Sequence, residues 1–129
     1  MREIKFRGKR LDTHEWVYGW YVNKKKDKHQ IVTSESIFPV SVKDFTVGQF
    51  TGLIDKNGVE IYDGDRILYS NVLERGEGII TFHLGFNIEW DLNTVVTSNP
   101  SLISPLFYFG CAKEIEVIGN IHDNPELIK

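Results

Sequence analysis

The stretch VGQFTGLIDKNGVEIYDGDRI, residues 47–67, decides how this chain folds. Its four glycines and four acidic residues fit three readings: a metal loop, a phosphate cradle, or a run of tight turns. Spacing separates them. An EF-hand calcium loop needs oxygen ligands at alternate positions, glycine at the sixth and a bidentate acid at the twelfth. Counted from Asp55, Asn57 fits the third position, but Glu60 stands sixth and Arg66 twelfth. Neither the Walker pattern nor Gly-x-Gly-x-x-Gly occurs, so the backbone cradle for a phosphate is missing as well. Asn57-Gly58 and Asp63-Gly64 are instead turn dipeptides that tolerate positive φ. The first predicts a tight β-hairpin between Leu53-Ile54 and Val59 to Ile61; the second turns the chain into a strand from Asp65 to Ser70. The aspartates carry no chemistry in this reading. Gly48-Gln49-Phe50-Thr51-Gly52 is more specific than a turn requires, which marks Gln49 and Thr51 as candidate surface residues.

Period-two patterning extends outward from this stretch in both directions. Residues 4–22 read as a hairpin, with Ile4, Phe6 and Gly8 alternating with Lys5, Arg7 and Lys9. After Asp12-Thr13-His14-Glu15, Trp16, Tyr18, Trp20 and Val22 alternate with Val17, Gly19 and Tyr21. Lysines 24, 25, 26 and 28 surround Asp27 in a solvated turn before a strand at residues 30–33. Residues 36–42 predict a short edge strand broken at Pro39, since proline cannot donate to a ladder. Residues 78–90 form the clearest hairpin, turning at His83-Leu84-Gly85 with the even positions facing the core. Residues 93–109 hold Pro100 and Pro105 among apolar residues, and predict an irregular crossing with one short helical turn, buried against the sheet or against a neighbouring subunit. Residues 114–121 alternate again, and one helical turn is expected near residues 126–128. No segment carries a sustained 3.6-residue period. The fold class is therefore all-β: a small, strongly twisted, barrel-like domain of short antiparallel strands and hairpins, with at most one or two short helical turns.

At 129 residues the chain suits a single domain, with an N-terminal hairpin at about 2–23 and a barrel portion at about 46–122. A chain this size buries roughly two-thirds of its unfolded surface. No run approaches the ~20 apolar residues of a membrane span, and the start alternates charge with apolar residues, so a cytosolic protein is expected. One cysteine, Cys111, excludes an internal disulfide. The net charge of −3 is unevenly placed: residues 1–30 hold nine Lys/Arg against four Asp/Glu, and residues 31–129 hold six against fourteen. Such a split marks either an acidic partner or two complementary faces that meet within or between subunits, and the acidic total favours the second.

The catalytic search is thin. His14, His29, His83 and His122 are scattered, Cys111 lies in an apolar neighbourhood that suits an inert thiol, and no Gly-x-Ser-x-Gly elbow occurs. Asp63 and Asp65 are too few to specify a hard cation, so no cofactor, no metal and no enzyme activity are expected. The candidate binding surface is Lys5, Arg7, Lys9, Arg10, Tyr21, Lys24, Lys25, Lys26, Gln49 and Thr51. Trp16, Tyr18 and Trp20 share one face and suit a stacking platform of the kind single-stranded nucleic-acid binders use. Alternating aromatics more commonly fill a core, so these rings are expected inside, with Tyr21 on the opposite face as the exposed ring.

Three blocks resemble the YopX family of small proteins encoded by phages and prophages of low-GC Gram-positive bacteria. They are REIKFRGKR with EWVYGWY (residues 2–10 and 15–21), TVGQFTGLIDKNGVEIYDGDRI (residues 46–67) and EVIGNIHDNPELI (residues 116–128). Asp44-Phe45 stands where similar proteins often carry a proline and a glutamate. The resemblance implies a mostly β, barrel-like fold and self-assembly, and it implies no catalytic residues, because the family has no established activity. The expected partners are a second copy of the chain and another phage or host protein, with nucleic acid as the alternative and no membrane.

Overall fold

The structure, a computed structural model, describes residues 4–36, 38–97, 101–109 and 112–123. Cys111 and the terminal turn expected at 126–128 lie outside the described residues. Among the described residues the chain is mostly antiparallel β with two short 3-10 turns, and it divides into two compact units, Met1–Gly52 and Leu53–Lys129. Among the described residues no helix is long and apolar enough to cross a membrane.

In the first unit the strands are β1 (Phe6–Lys9), β2 (Trp16–Lys25), β3 (Lys28–Val32), β4 (Val40–Ser41) and β5 (Gly48–Ile54), which runs on into the second unit. They stand in the order β4-β3-β2-β1-β5. The expected hairpin is β1 on β2, with Phe6 opposite Gly19, Arg7 opposite Tyr18, Gly8 opposite Val17 and Lys9 opposite Trp16. Its loop closes through Arg10 N–H donating to Glu15 O at 2.9 Å, with His14 at φ 64°. The short β4 follows Pro39 at the outer end of the order, as its missing donor requires. Val42, just past β4, forms an antiparallel bridge to Arg10, just past β1. The order thus bends back toward its start, the barrel-like curl expected from the many short strands. Among the described residues of this unit Ile31, Val42 and Phe50 are buried apolar side chains. Complete burial of a residue such as Ile31 contributes roughly 1.5–3 kcal/mol.

The second unit contains β6 (Glu60–Tyr62), β7 (Asp65–Ser70), β8 (Arg75–Phe82), β9 (Phe86–Val96), β10 (Ile103–Pro105) and β11 (Ile115–Asn120), with a 3-10 turn at Leu106–Phe109. Five of these form a sheet in the order β10-β9-β8-β7-β11. Strand periodicity puts Ile67, Ile80, Ile88 and Ile115 on one face, where Ile61, Leu106 and Ala112 complete the core. The opposite face is mixed, with Arg66, Glu77 and Asp91 beside Leu68 and Ile79. The even-position rule for residues 78–90 holds for Ile80 and Ile88, both fully buried, and fails at Phe82, which is 51% exposed at the hairpin tip. There Phe82 packs edge-on against Phe86, with centroids 4.9 Å apart.

The described residues between 93 and 109 are more regular than the sequence suggests. β9 continues to Val96, and β10 adds to its edge with Pro105 at the outer position where a missing N–H costs nothing. Burial against the sheet is corrected for Leu102 and Ile103, which are exposed in the single chain, while Leu106 is buried. The irregularity lies earlier: Arg75 pairs with Val96 and Glu77 with Asp91, so residues 92–95 bulge opposite Gly76. Thr94 Oγ1 fixes the bulge by accepting from Glu77 N at 2.9 Å and donating to Asp91 O at 2.7 Å. In β11 the register shifts between Val117 and Gly119, which interrupts the expected alternation and leaves Ile118 40% exposed.

Candidate functional site

The motif at residues 47–67 is built as turns. Gly58 and Gly64 adopt φ 84° and 94°, the left-handed region their dipeptides allow. Asp55 is 5% exposed, and its Oδ1 accepts from Asn57 N at 2.8 Å and Val59 N at 2.9 Å. Its Oδ2 accepts from Val117 N at 2.8 Å, which ties the turn to β11. Asp65, 1% exposed, accepts from Tyr62 N at 2.7 Å. These carboxylates satisfy buried backbone donors that would otherwise cost about 1–3 kcal/mol each. Arg66 continues the pattern: it is buried, and its guanidinium bonds Glu77 at 3.0 Å and Asp91 at 3.1 Å across three strands. Among the described residues no group of three His, Cys, Asp or Glu is placed to hold a metal.

The predicted surface residues divide between two faces of the first unit. Side chains of directly opposed residues share a face, so the β1–β2 register puts Lys5, Arg7 and Lys9 with Trp16, Tyr18 and Trp20. The guanidinium of Arg7 sits 4.5 Å from the Trp16 ring centre, and the Lys9 ammonium sits 5.4 Å from it. Lys5 lies over Phe50 at 5.2 Å. The expectation that these aromatics form a core is therefore corrected: Tyr18 is 45% and Trp20 63% exposed, while Arg7 is buried at 6%. A cation over an indole face contributes about 0.5–2 kcal/mol, more as it is desolvated.

Tyr21, Gln49 and Thr51 belong to the other face. Tyr21 is half-buried, not the exposed ring expected: it stacks on His29 at 5.9 Å with an interplanar angle of 3°, and its hydroxyl meets His29 Nδ1 at 2.5 Å. Gln49 stands opposite Phe6, and Thr51 is 4% exposed, so the side chain of Thr51 serves the interior. Lys25 and Lys26 are exposed at the β2–β3 turn; Lys24 is a β2 residue whose side chain lies outside the description. Arg10 pairs instead with Asp12, Nε to Oδ1 at 2.9 Å and Nη2 to Oδ2 at 3.0 Å. This fork holds the Asp12 carboxyl down to about 2, chiefly through the hydrogen bond from Arg10.

The sequence reading missed a cleft of about 160 Å³ in the second unit, lined by Tyr69, Glu74, Gly76, Trp90, Thr97 and Phe109 among others. Tyr69, Trp90 and Phe109 meet edge to face at centroid distances of 4.9 to 6.1 Å. Trp90 Nε1 donates to Ser104 Oγ at 2.8 Å. Asn71 organises the mouth: its Oδ1 accepts from Leu73 N and Glu74 N, and its Nδ2 donates to the Tyr69 hydroxyl at 2.8 Å. Thr97 donates to Glu74 Oε2 at 2.5 Å. Burial pushes the Tyr69 phenol up, and the negative charges of Glu114 and Glu74 add to this. The available signal was Ser70-Asn71 breaking the strand three residues before Glu74, an Asx-turn pattern.

Comparison with known proteins agrees with this architecture. No curated protein matches the chain. Among solved structures, the crystal structure of protein EF1440 from Enterococcus faecalis is similar over 100% of both chains, with a TM-score of 0.55 at 22% identity, a likeness of fold. The model of the YopX family, described as YopX protein, matches residues 5–129, so the chain belongs to the YopX family.

Proposed function

We propose that this protein is a non-enzymatic accessory module of phage origin, working in the host cytoplasm, that self-associates and binds a further macromolecule. The observation that carries the reading is where the charge divides. Residues 1–52, the first unit, hold ten Lys/Arg against six Asp/Glu, a net of +4; residues 53–129, the second, hold five against twelve, a net of −7. Opposite charge on successive units favours a head-to-tail contact between copies, which closes into a ring if the rotation permits. The exposed Trp20 and Tyr18 add apolar contact area to the basic unit. Light scattering at low and high salt tests this: association that weakens with salt is expected, and a monodisperse monomer under both conditions overturns it.

A second reading, nucleic-acid binding, is favoured by one observation: the basic row and the aromatic row occupy the same face of β1–β2. Phosphate contacts make affinity fall steeply with salt. Titration of a single-stranded oligonucleotide at two salt concentrations separates the readings, and no binding at low salt removes this one. The acidic total weighs against it.

A further inference from the structure

We infer that the cleft of Tyr69, Trp90, Phe109 and Glu74 is a receptor for a lysine side chain presented by a protein partner. The inference deepens the binding-module reading and rests on it for the macromolecular nature of the partner.

The first argument is size. At about 160 Å³ the cleft has room for a chain of several non-hydrogen atoms, since one water needs only about 10–15 Å³ on this measure. The five beyond Cα in a lysine side chain fit within it. Two kinds of wall match its two ends. Trp90, Phe109 and Val95 offer ring and methyl surface to an aliphatic stem, and Glu74 offers a carboxylate to an ammonium.

The second argument is how the carboxylate is held. Asn71 fixes the backbone of Glu74 and the hydroxyl of Tyr69 in one turn, and Thr97 anchors Oε2. This leaves Glu74 half-buried beside aromatic faces, the environment in which an ion pair and a cation–π contact are strongest. The direction of the Tyr69 shift, raised in part by Glu74 and Glu114, agrees with a negative field at the cleft. Arg75 also borders the cleft, but its guanidinium lies 3.9 Å from Glu77, a residue on its own side of β8.

Exposed apolar side chains around the cleft point to a protein as the carrier of the lysine. Val72 at 100% and Leu73 at 84% exposure directly precede Glu74. Val96 at 63%, Leu102 at 68% and Ile103 at 52% adjoin other lining residues in sequence. A free amine would leave these apolar side chains in water, whereas a protein surface around the lysine covers them.

The test follows the Trp90 indole N–H in 1H–15N spectra of the full chain, assigned with Trp90→Phe. n-Butylammonium and a short lysine-containing peptide are both expected to shift it saturably, the peptide at least as tightly, while n-butanol at equal concentration has little effect. Glu74→Gln is expected to weaken both by about tenfold, with the remaining resonances unchanged as the control for folding. No shift, an equal response to n-butanol, or undiminished binding by Glu74→Gln overturns the inference. Binding of n-butylammonium without the peptide also overturns it, in favour of a free-amine site. Because n-butylammonium reads the cleft directly, its failure is distinguishable from a failure of self-association, which light scattering reports separately.

Discussion

The two units protect their interiors by different chemistry. The second buries a cluster dominated by isoleucine, with Ile61, Ile67, Ile80, Ile88 and Ile115 all at 0% exposure. The first buries Arg7, Thr46 and Thr51 alongside its few apolar residues and lays three cations over aromatic rings. An aliphatic core is non-directional and sensitive to volume, whereas ring–cation and hydroxyl contacts depend on geometry and tolerate water at one edge. The second unit is thereby specified mainly by packing, with buried Asp55, Asp65 and Arg66 tying its turns and strands by directed bonds. The first is specified by register, and it keeps Tyr18 and Trp20 exposed.

The contrast breaks most readily in the core. Ile80→Ala removes a fully buried side chain and is expected to lower unfolding free energy by about 2–5 kcal/mol. Urea denaturation checks this, and a loss below about 1 kcal/mol would mean that the site collapses around the gap. Asp55→Ala comes next, because it strips acceptors from three backbone donors. A loss of about 3 kcal/mol is expected, together with faster amide exchange at Val117. If exchange at Val117 is unchanged, the tie between turn and strand is not what holds β11.

Trp20→Ala sharpens the comparison from the other side. Truncating this 63% exposed ring is expected to change stability by no more than about 0.5 kcal/mol while weakening self-association in light scattering. A large stability loss would place Trp20 in the interior scheme after all. The smallest effect belongs to Arg10→Ala, which is expected to return the Asp12 carboxyl from about 2 toward the ordinary carboxylate range, as read by NMR titration. The sign is fixed: a depressed folded value contributes stability above the ordinary range, and that stability is lost as pH falls through about 2. With both groups at the surface, the thermal midpoint at neutral pH should scarcely move.

Much of the fold was legible because turns are local. Asn57-Gly58, Asp63-Gly64 and His83-Leu84-Gly85 each state a backbone preference within a few residues, and the hairpins follow. The bulge at residues 92–95 was not legible, since it depends on Thr94 reaching back to Glu77 and on the space beside Gly76. The candidate surface was half legible. Period two puts Trp16, Tyr18 and Trp20 together, but only the pairing of Arg7 with Tyr18 says that they share the basic face. A shift of one residue would have put them on the other. The cleft in the second unit was illegible for a related reason: Tyr69, Trp90 and Phe109 come from two strands and a turn that meet only in three dimensions.

The hydrogen bond from Val117 to Asp55 spans 62 residues of chain, and this separation sets an order of events during synthesis. At about 5–20 residues per second, Asp55 emerges roughly 3 to 12 s before its partner on β11. Through that interval the Asn57-Gly58 turn can form while one carboxylate oxygen waits in water. The pairings of β1 with β2, β1 with β5, β2 with β3 and β3 with β4 lie within residues 1–52 and can form in the nascent chain by then. The family motif thus acts as a latch, set early in translation and closed by nearly the last strand to arrive.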